Sequence, residues 1–161
     1  MNISTSSIYS TGLIGLLLLL VVACAPKEIF FEYHSFKNNG WDRADAAVFH
    51  INMDNTTDLF DVSLEIRNNN DYPFRNIWLF VDSKTPGGDI RNDTIKVNLA
   101  DVYGKWQGTG ISLYSLTVPF KTGVRFPQAG TYTYSIRHGM QENPLKGISD
   151  IGLKISKNTD Q

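Results

Sequence analysis

Apolar and polar residues alternate with a period of two along much of the chain. Phe60, Val62, Leu64 and Ile66 interleave with Asp61, Ser63, Glu65 and Arg67, which sets one face of a strand on a core and the other in water. The same rhythm runs, more roughly, from Asp45 to Met53, with Ala47, Phe49, Ile51 and Met53 on one side and Val48, His50 and Asn52 on the other. It returns where Ile95, Val97 and Leu99 alternate with Thr94, Lys96 and Asn98, and where Tyr132, Tyr134, Ile136 and His138 alternate with Thr131, Thr133, Ser135 and Arg137. Ile151, Leu153 and Ile155 repeat it around Gly152 and Lys154. Turn residues punctuate these runs at Asn68 to Pro73, Pro86 to Asp89, Pro127 to Gly130 and Glu142 to Pro144. Many short strands without an amphipathic helix predict an all-β fold, a two-sheet antiparallel β-sandwich of jelly-roll or immunoglobulin-like type.

One segment breaks the alternation. Ile77, Trp78, Leu79, Phe80 and Val81 are apolar on both faces, as in a strand covered on both sides. The favoured expectation is a central strand whose outer face lies under a loop or the N-terminal segment; the competing one is an exposed Trp78 and Phe80 patch that meets a partner protein.

The first two dozen residues differ from the rest. Met1 to Ala23 contain no Asp, Glu, Lys, Arg or His, and Gly12 to Val22 is an unbroken apolar run. Its length suits a secretory signal better than a membrane span, which needs about 20 apolar residues. The absence of Lys and Arg near Met1 departs from the usual positive start of such signals. The run ends in Val21-Val22-Ala23-Cys24, the order of a lipobox, in which a thiol takes diacylglycerol before the peptide bond ahead of it is cut. Cys24 is the only cysteine, so an intramolecular disulfide is impossible and lipidation is its expected role. The expected organisation is a signal peptide over 1–23, a lipid-anchored tether over 24–28, a β-sandwich over 29–157 and a tail over 158–161. Only Ala25, Pro26, Lys27 and Glu28 separate Cys24 from the aromatic segment Ile29 to Tyr33, a reach of about 14 Å at full extension. The domain is therefore expected to rest close to its membrane. Acyl chains on Cys24 are the only cofactor-like group expected, and two or more chains hold a protein stably where one does not.

All 15 Lys and Arg and all 16 Asp and Glu lie after residue 24, for a net charge of −1. Such balance gives no footprint for nucleic acid and no polybasic strip for anionic lipid. His34, His50 and His138 are scattered without zinc spacing, and Asp54 to Asp58 lacks the order of a calcium loop; no metal is expected. A nucleophile elbow, a glycine-rich phosphate loop and a distinguishable carboxylate pair are all missing from the sequence, so an enzyme is not expected.

The aromatic residues offer the remaining chemistry. Aromatic rings on a β-sandwich can stack on pyranose rings, which makes polysaccharide an alternative partner and Trp41, Tyr103, Trp106 and Tyr114 the first candidates. Tyr72, within the Asn-Asn-Asn-Asp-Tyr-Pro loop, and the Trp78 and Phe80 pair join them as partner or sugar contacts. Against this, Gly104, Gly108 and Gly110 around Trp106 mark tight turns, where a tryptophan more often plugs the end of a sandwich. Loop chemistry alone also accounts for the Tyr72 turn.

Several blocks in this order resemble the gliding-motility lipoprotein GldH family. They are Phe36 with Asn39-Gly40-Trp41, Leu64 through Phe74, Asp93-Thr94, Leu99-Ala100-Asp101 with Gly104, Trp106, Gly108 and Gly110, Val124-Arg125-Phe126-Pro127 with Gly130 and Tyr132, and Met140 with Gly147-Ile148 and Asp150 through Leu153. The resemblance implies a non-catalytic envelope lipoprotein needed for surface gliding and for an associated protein secretion system, with other envelope proteins as partners. It carries over one functional position, the lipidated Cys24. Ala25 after the cysteine, by resemblance to the usual sorting rule, implies the outer membrane, and the periplasmic face is the expected orientation.

Overall fold

The computed structural model describes residues 27–37, 40–54 and 57–158, so the signal segment, Cys24 and the last three residues lie outside the described residues. Every regular element among them is a strand: β1 (Glu28–Ser35), β2 (Ala47–Met53), β3 (Phe60–Asn69), β4 (Asn76–Lys84), β5 (Ile90–Asn98), β6 (Thr109–Gly110), β7 (Leu113–Val124), β8 (Gly130–His138) and β9 (Ile148–Lys157). They form two antiparallel sheets, one ordered β1-β9-β3-β7-β6 and the other β2-β8-β4-β5. Leaving aside the two-residue β6, the chain passes from sheet to sheet at every connection but the β4–β5 hairpin, and first and last strands become neighbours, which is the winding of a jelly roll.

The period of two explains the packing. β2 buries Ala47, Phe49, Ile51 and Met53, and β8 buries Tyr132, Tyr134, Ile136 and His138, with their alternate residues outward. β3 and β9 lie inside the first sheet and supply Phe60, Val62, Leu64, Ile66, Ile151, Leu153 and Ile155 to the same core. Across the gap, Phe30 of β1 meets Phe49 of β2 edge-on with centroids 6.4 Å apart. On the other side Lys121 of β7 and Asp93 of β5 join the sheets through a 2.7 Å ion pair.

The outer face of β3 is not in water as its alternation suggests. Glu65 is buried, accepting a hydrogen bond from Thr117 Oγ1 at 2.9 Å and lying 3.5 Å from Lys154 Nζ. The cause is Gly152, its partner on β9. The ring of Tyr33 lies over this glycine, where a Cβ would come within 2.8 Å of the ring, and the Arg67 guanidinium covers the ring at 3.8 Å. An aromatic ring thus covers the backbone that a missing side chain would leave bare, and the carboxylate beside it is shielded in turn.

Strand register divides the molecule into two poles. Glu28 pairs with Ser156, and Phe60 with both Lys157 and Val124, so β1 enters at the pole where β7 and β9 end. In the second sheet Met53 with Gly130 and Lys84 with Ile90 mark the same end. Ser35, Asn69, Leu113 and Ile148 mark the opposite end, with Ala47, Asn76, Asn98 and His138. The ten residues of β3 separate the poles by about 30 Å at the rise of an extended strand. The pole where β1 begins is called the tether pole below, and the other the far pole.

Candidate functional site

The expected aromatic contacts do not form one platform. Trp41, just before β2, is completely buried. It stacks on Phe36 with centroids 4.4 Å apart, meets His138 at 5.1 Å and donates from Nε1 to the Asp45 carbonyl at 2.7 Å. Its backbone exchanges two 2.8 Å hydrogen bonds with Leu145. Trp41 seals the far end of the core and presents no face to a ligand. Tyr72 is buried as well and donates its hydroxyl proton to the Asn76 carbonyl at 2.8 Å.

Trp106 takes an intermediate place. It is half-buried against the core, donates from Nε1 to Asn70 Oδ1 at 2.9 Å, and lies 6.4 Å from the Tyr72 ring and 5.9 Å from the Tyr114 ring. Tyr114 is tied down by its hydroxyl, which donates to the Ile111 carbonyl at 2.6 Å. These three rings brace the far pole, and only the rim of the cluster meets solvent.

Two turns project from this braced base. In the first, Asp101 Oδ1 accepts from the backbone N–H groups of Tyr103 and Lys105 at 2.8 and 2.9 Å, and its carbonyl accepts from Gly104 N–H at 3.2 Å. The turn is locked while Val102 and Tyr103 at its tip are 70% and 92% exposed. In the second, between β6 and β7, Ile111 is 92% exposed and Leu113 is exposed beside it. The apolar side chains that these turns carry into water make them the candidate contact positions of the far pole. Sequence reasoning found Tyr103 but missed Val102, Ile111 and Leu113; apolar residues inside a glycine-marked turn segment were the available signal. The far pole also carries a solvent-open groove of about 930 Å³, bordered by Phe36, Lys37, Asp71, Pro144 and Lys146.

A second aromatic surface lies on the outer face of β4. Ile77, Leu79 and Val81 point into the core, whereas Trp78 and Phe80 are 42% and 39% exposed, covered only in part by the chain after β8. The favoured expectation of a strand covered on both faces is thus met only in part, since the outer rings keep about two-fifths of their surface in water. The pair sits side-on against the chain after β8, where a Cβ on Gly139 would come within 2.9 Å of the Phe80 ring. The Gly139 N–H donates to the Trp78 carbonyl at 2.7 Å. Polar groups frame the pair: Lys96 Nζ lies 5.7 Å from the Trp78 ring centroid, and Asp82 holds Arg137 at 2.9 Å and Asn92 at 2.6 Å.

The histidines stand apart. His34 pairs with Asp45 at 3.2 Å, His50 contacts Thr133 Oγ1 at 3.2 Å, and His138 is buried at the end of β8. Burial first, and the Arg43 guanidinium second, hold the His138 pKa below the ordinary value. Among the described residues no three His, Asp or Glu side chains converge as metal ligands would.

The order of these features along the chain has counterparts. Residues 28–155 match the family described as GldH lipoprotein. This chain belongs to that family. It is 29% identical over 159 residues to the gliding motility lipoprotein GldH homolog of Christiangramia forsetii, covering 94% of this chain and 97% of that one. It is 28% identical over 158 residues to the gliding motility lipoprotein GldH of Flavobacterium johnsoniae, covering 93% and 98%. The GldH match takes in every strand from β1 to β8 and most of β9, so the jelly roll and both poles belong to the shared part.

Proposed function

We propose that this chain is a non-catalytic envelope lipoprotein of the gliding-motility machinery and its associated secretion system, anchored by acyl chains on Cys24 after removal of residues 1–23. One observation carries the reading: a family match across eight strands and most of the ninth, in a chain whose first strand begins four residues after its single cysteine. Lipid at Cys24 would place the tether pole at the membrane and turn the far pole toward neighbouring proteins. Confinement to one leaflet raises the effective concentration of a partner without a large interface. The outer membrane, periplasmic face, is the proposed location, with the residues between Cys24 and β1 as tether and 158–161 as tail.

The test has two arms. Mass spectrometry of the natural product should find acyl chains on an N-terminal Cys24, and Cys24→Ala should abolish processing and gliding together. Crosslinking in intact cells from far-pole positions should then capture envelope proteins of the same machinery. A bare thiol on an intact leader would sink the reading.

Exposure of Trp78 and Phe80 among polar neighbours favours a second reading, a polysaccharide-binding module. Trp78 is the most exposed of the three tryptophans, so it would report. Quenching of its fluorescence by envelope polysaccharide, lost in Trp78→Phe, would support that reading, and silence across a broad panel would dismiss it.

A further inference from the structure

At the tether pole the two sheets part on the β5 and β7 side, leaving a solvent-open cleft of about 560 Å³. Three stretches of chain bring four cations to its walls: Lys84 ends β4, Arg91 lies at the start of β5, and Lys121 late in β7 is followed by Arg125. One carboxylate, Asp89, shares the lining, and a second, Asp93, is bound to Lys121. Lys84, Arg91 and Arg125 form no ion pair with any described residue. In a chain of net charge −1 this positive charge is a local concentration.

The interior of the cleft supplies neutral donors. Tyr132 and Tyr134 line it and are themselves buried. Burial, then the Asp93 carboxylate, pushes the Tyr134 phenol up to about 12, so it keeps its proton at neutral pH. The Tyr132 oxygen accepts from Gln128 N–H at 3.1 Å, which leaves its own proton to donate. Beneath them Phe126 packs edge-on against Tyr132 at 4.9 Å and Phe60 at 5.5 Å, giving the site an apolar floor that does not compete for hydrogen bonds. The rim is fixed, because Gly87 N–H of the β4–β5 turn donates to Gln128 Oε1 of the β7–β8 loop at 3.0 Å.

A structural explanation reaches only part of this. Inward charge near a sheet edge discourages pairing with another chain, and the Lys121–Asp93 pair serves that purpose alone. It leaves three unpaired cations around a preformed cavity unexplained. Guanidinium forks and phenol O–H groups suit tetrahedral oxyanions, with Arg able to donate two parallel hydrogen bonds.

We propose that this cleft is a binding site for a phosphate-bearing anion. Two sources offer that chemistry, a phospholipid headgroup and free phosphate. The cleft opens at the pole where β1 begins, four residues after Cys24, so the headgroup source rests on the anchor reading whereas the anion site does not.

Protein purified from cells in an uncharged maltoside detergent would be titrated by calorimetry with inorganic phosphate, and separately with phosphatidylglycerol added to the same micelles. Arg91→Gln with Arg125→Gln should weaken binding by about tenfold or more, equal to about 1.4 kcal/mol. Lys96→Gln with Lys105→Gln removes the same charge outside the cleft and should leave affinity within about twofold. Preference for phosphatidylglycerol assigns the headgroup, and equal or tighter binding of inorganic phosphate assigns a soluble ligand to the same site. Absence of saturable binding to either probe, or equal losses in the two double variants, overturns the proposal. If the cleft variant does not fold, ring resonances of Tyr132 and Tyr134 in the wild type decide, since a bound anion must shift them and unmoved rings overturn the site. Acylation of Cys24 is read independently by mass, so failure of one idea is not failure of the other.

Discussion

His138 is wholly buried, with its ring against Trp41. Its folded pKa is lowered, while in the unfolded chain it titrates near its ordinary value of about 6.5. As pH falls through that value the unfolded chain takes up a proton that the folded chain refuses, so this contribution is complete above it and is lost as pH drops toward the folded pKa. Urea unfolding should therefore give a falling stability from about pH 7.5 to pH 5.5, with at most about 1.4 kcal/mol per pH unit from this group. His138→Leu should flatten the profile whatever it does to absolute stability; an unchanged slope would place the titration elsewhere. Two glycines separate strain from space. Gly147 has φ of +79° and a Cβ there would come within 2.1 Å of Tyr72 N, whereas Gly104 has φ of +83° with nothing within 4 Å. Gly147→Ala should cost about 3 kcal/mol or more and Gly104→Ala about 1 kcal/mol, measured by chemical denaturation.

Within one strand the same contrast appears between neighbours. Leu79 is fully buried and Phe80 stands on the outer face of β4. Leu79→Ala should cost about 2–5 kcal/mol through the cavity it leaves, and Phe80→Thr, a residue that suits a strand, about 1 kcal/mol. Near-equal losses would mean that the outer face is covered after all. The regularity of alternation decides what could be read from the sequence. β2, β3, β8 and β9 were legible because one face of each meets the core with few interruptions. β7 was not, since its register slips twice opposite Phe60, Val62 and Ser63, and Pro119 and Gly123 fall within it. A bulge changes which residues face inward, so no single period runs along Leu113 to Val124. β1 reads only as an aromatic segment, because Phe31 and Tyr33 face outward over its neighbour β9 while Phe30 faces the core. Trp41 and Tyr72 suit contacts by residue type yet are buried, because a count of aromatic residues does not say which rings close a core. The cationic cleft is hidden for a different reason: its four charges come from the end of β4, the start of β5 and the end of β7, and the last joins the others only where the two sheets pack.

Taken as a whole, the molecule places its chain entry and its exposed turn tips at opposite poles, about 30 Å apart at strand rise. If Cys24 carries the anchor, the tips bearing Val102 and Ile111 stand at a defined height above the membrane, set by a tether of a few residues and a rigid sandwich. Two variants test whether height and tip both matter. Val102→Asp with Ile111→Asp alters only side chains that are 70% and 92% exposed, so stability should change by no more than about 0.5 kcal/mol. Spreading of cells on agar should nevertheless be lost, because charged tips no longer suit an apolar partner. An insertion of about 40 Gly and Ser residues after Pro26 leaves the tips intact but adds a coil of about 35 Å root-mean-square length. It should reduce spreading in proportion to the diluted effective concentration, and partial recovery on overproduction should follow. If the long tether left spreading untouched while the tip variant abolished it, the partner would be reached without help from the membrane, and the fixed height would be incidental. If neither changed spreading, contact would have to pass through another surface, and the Trp78 and Phe80 face would be the next to charge.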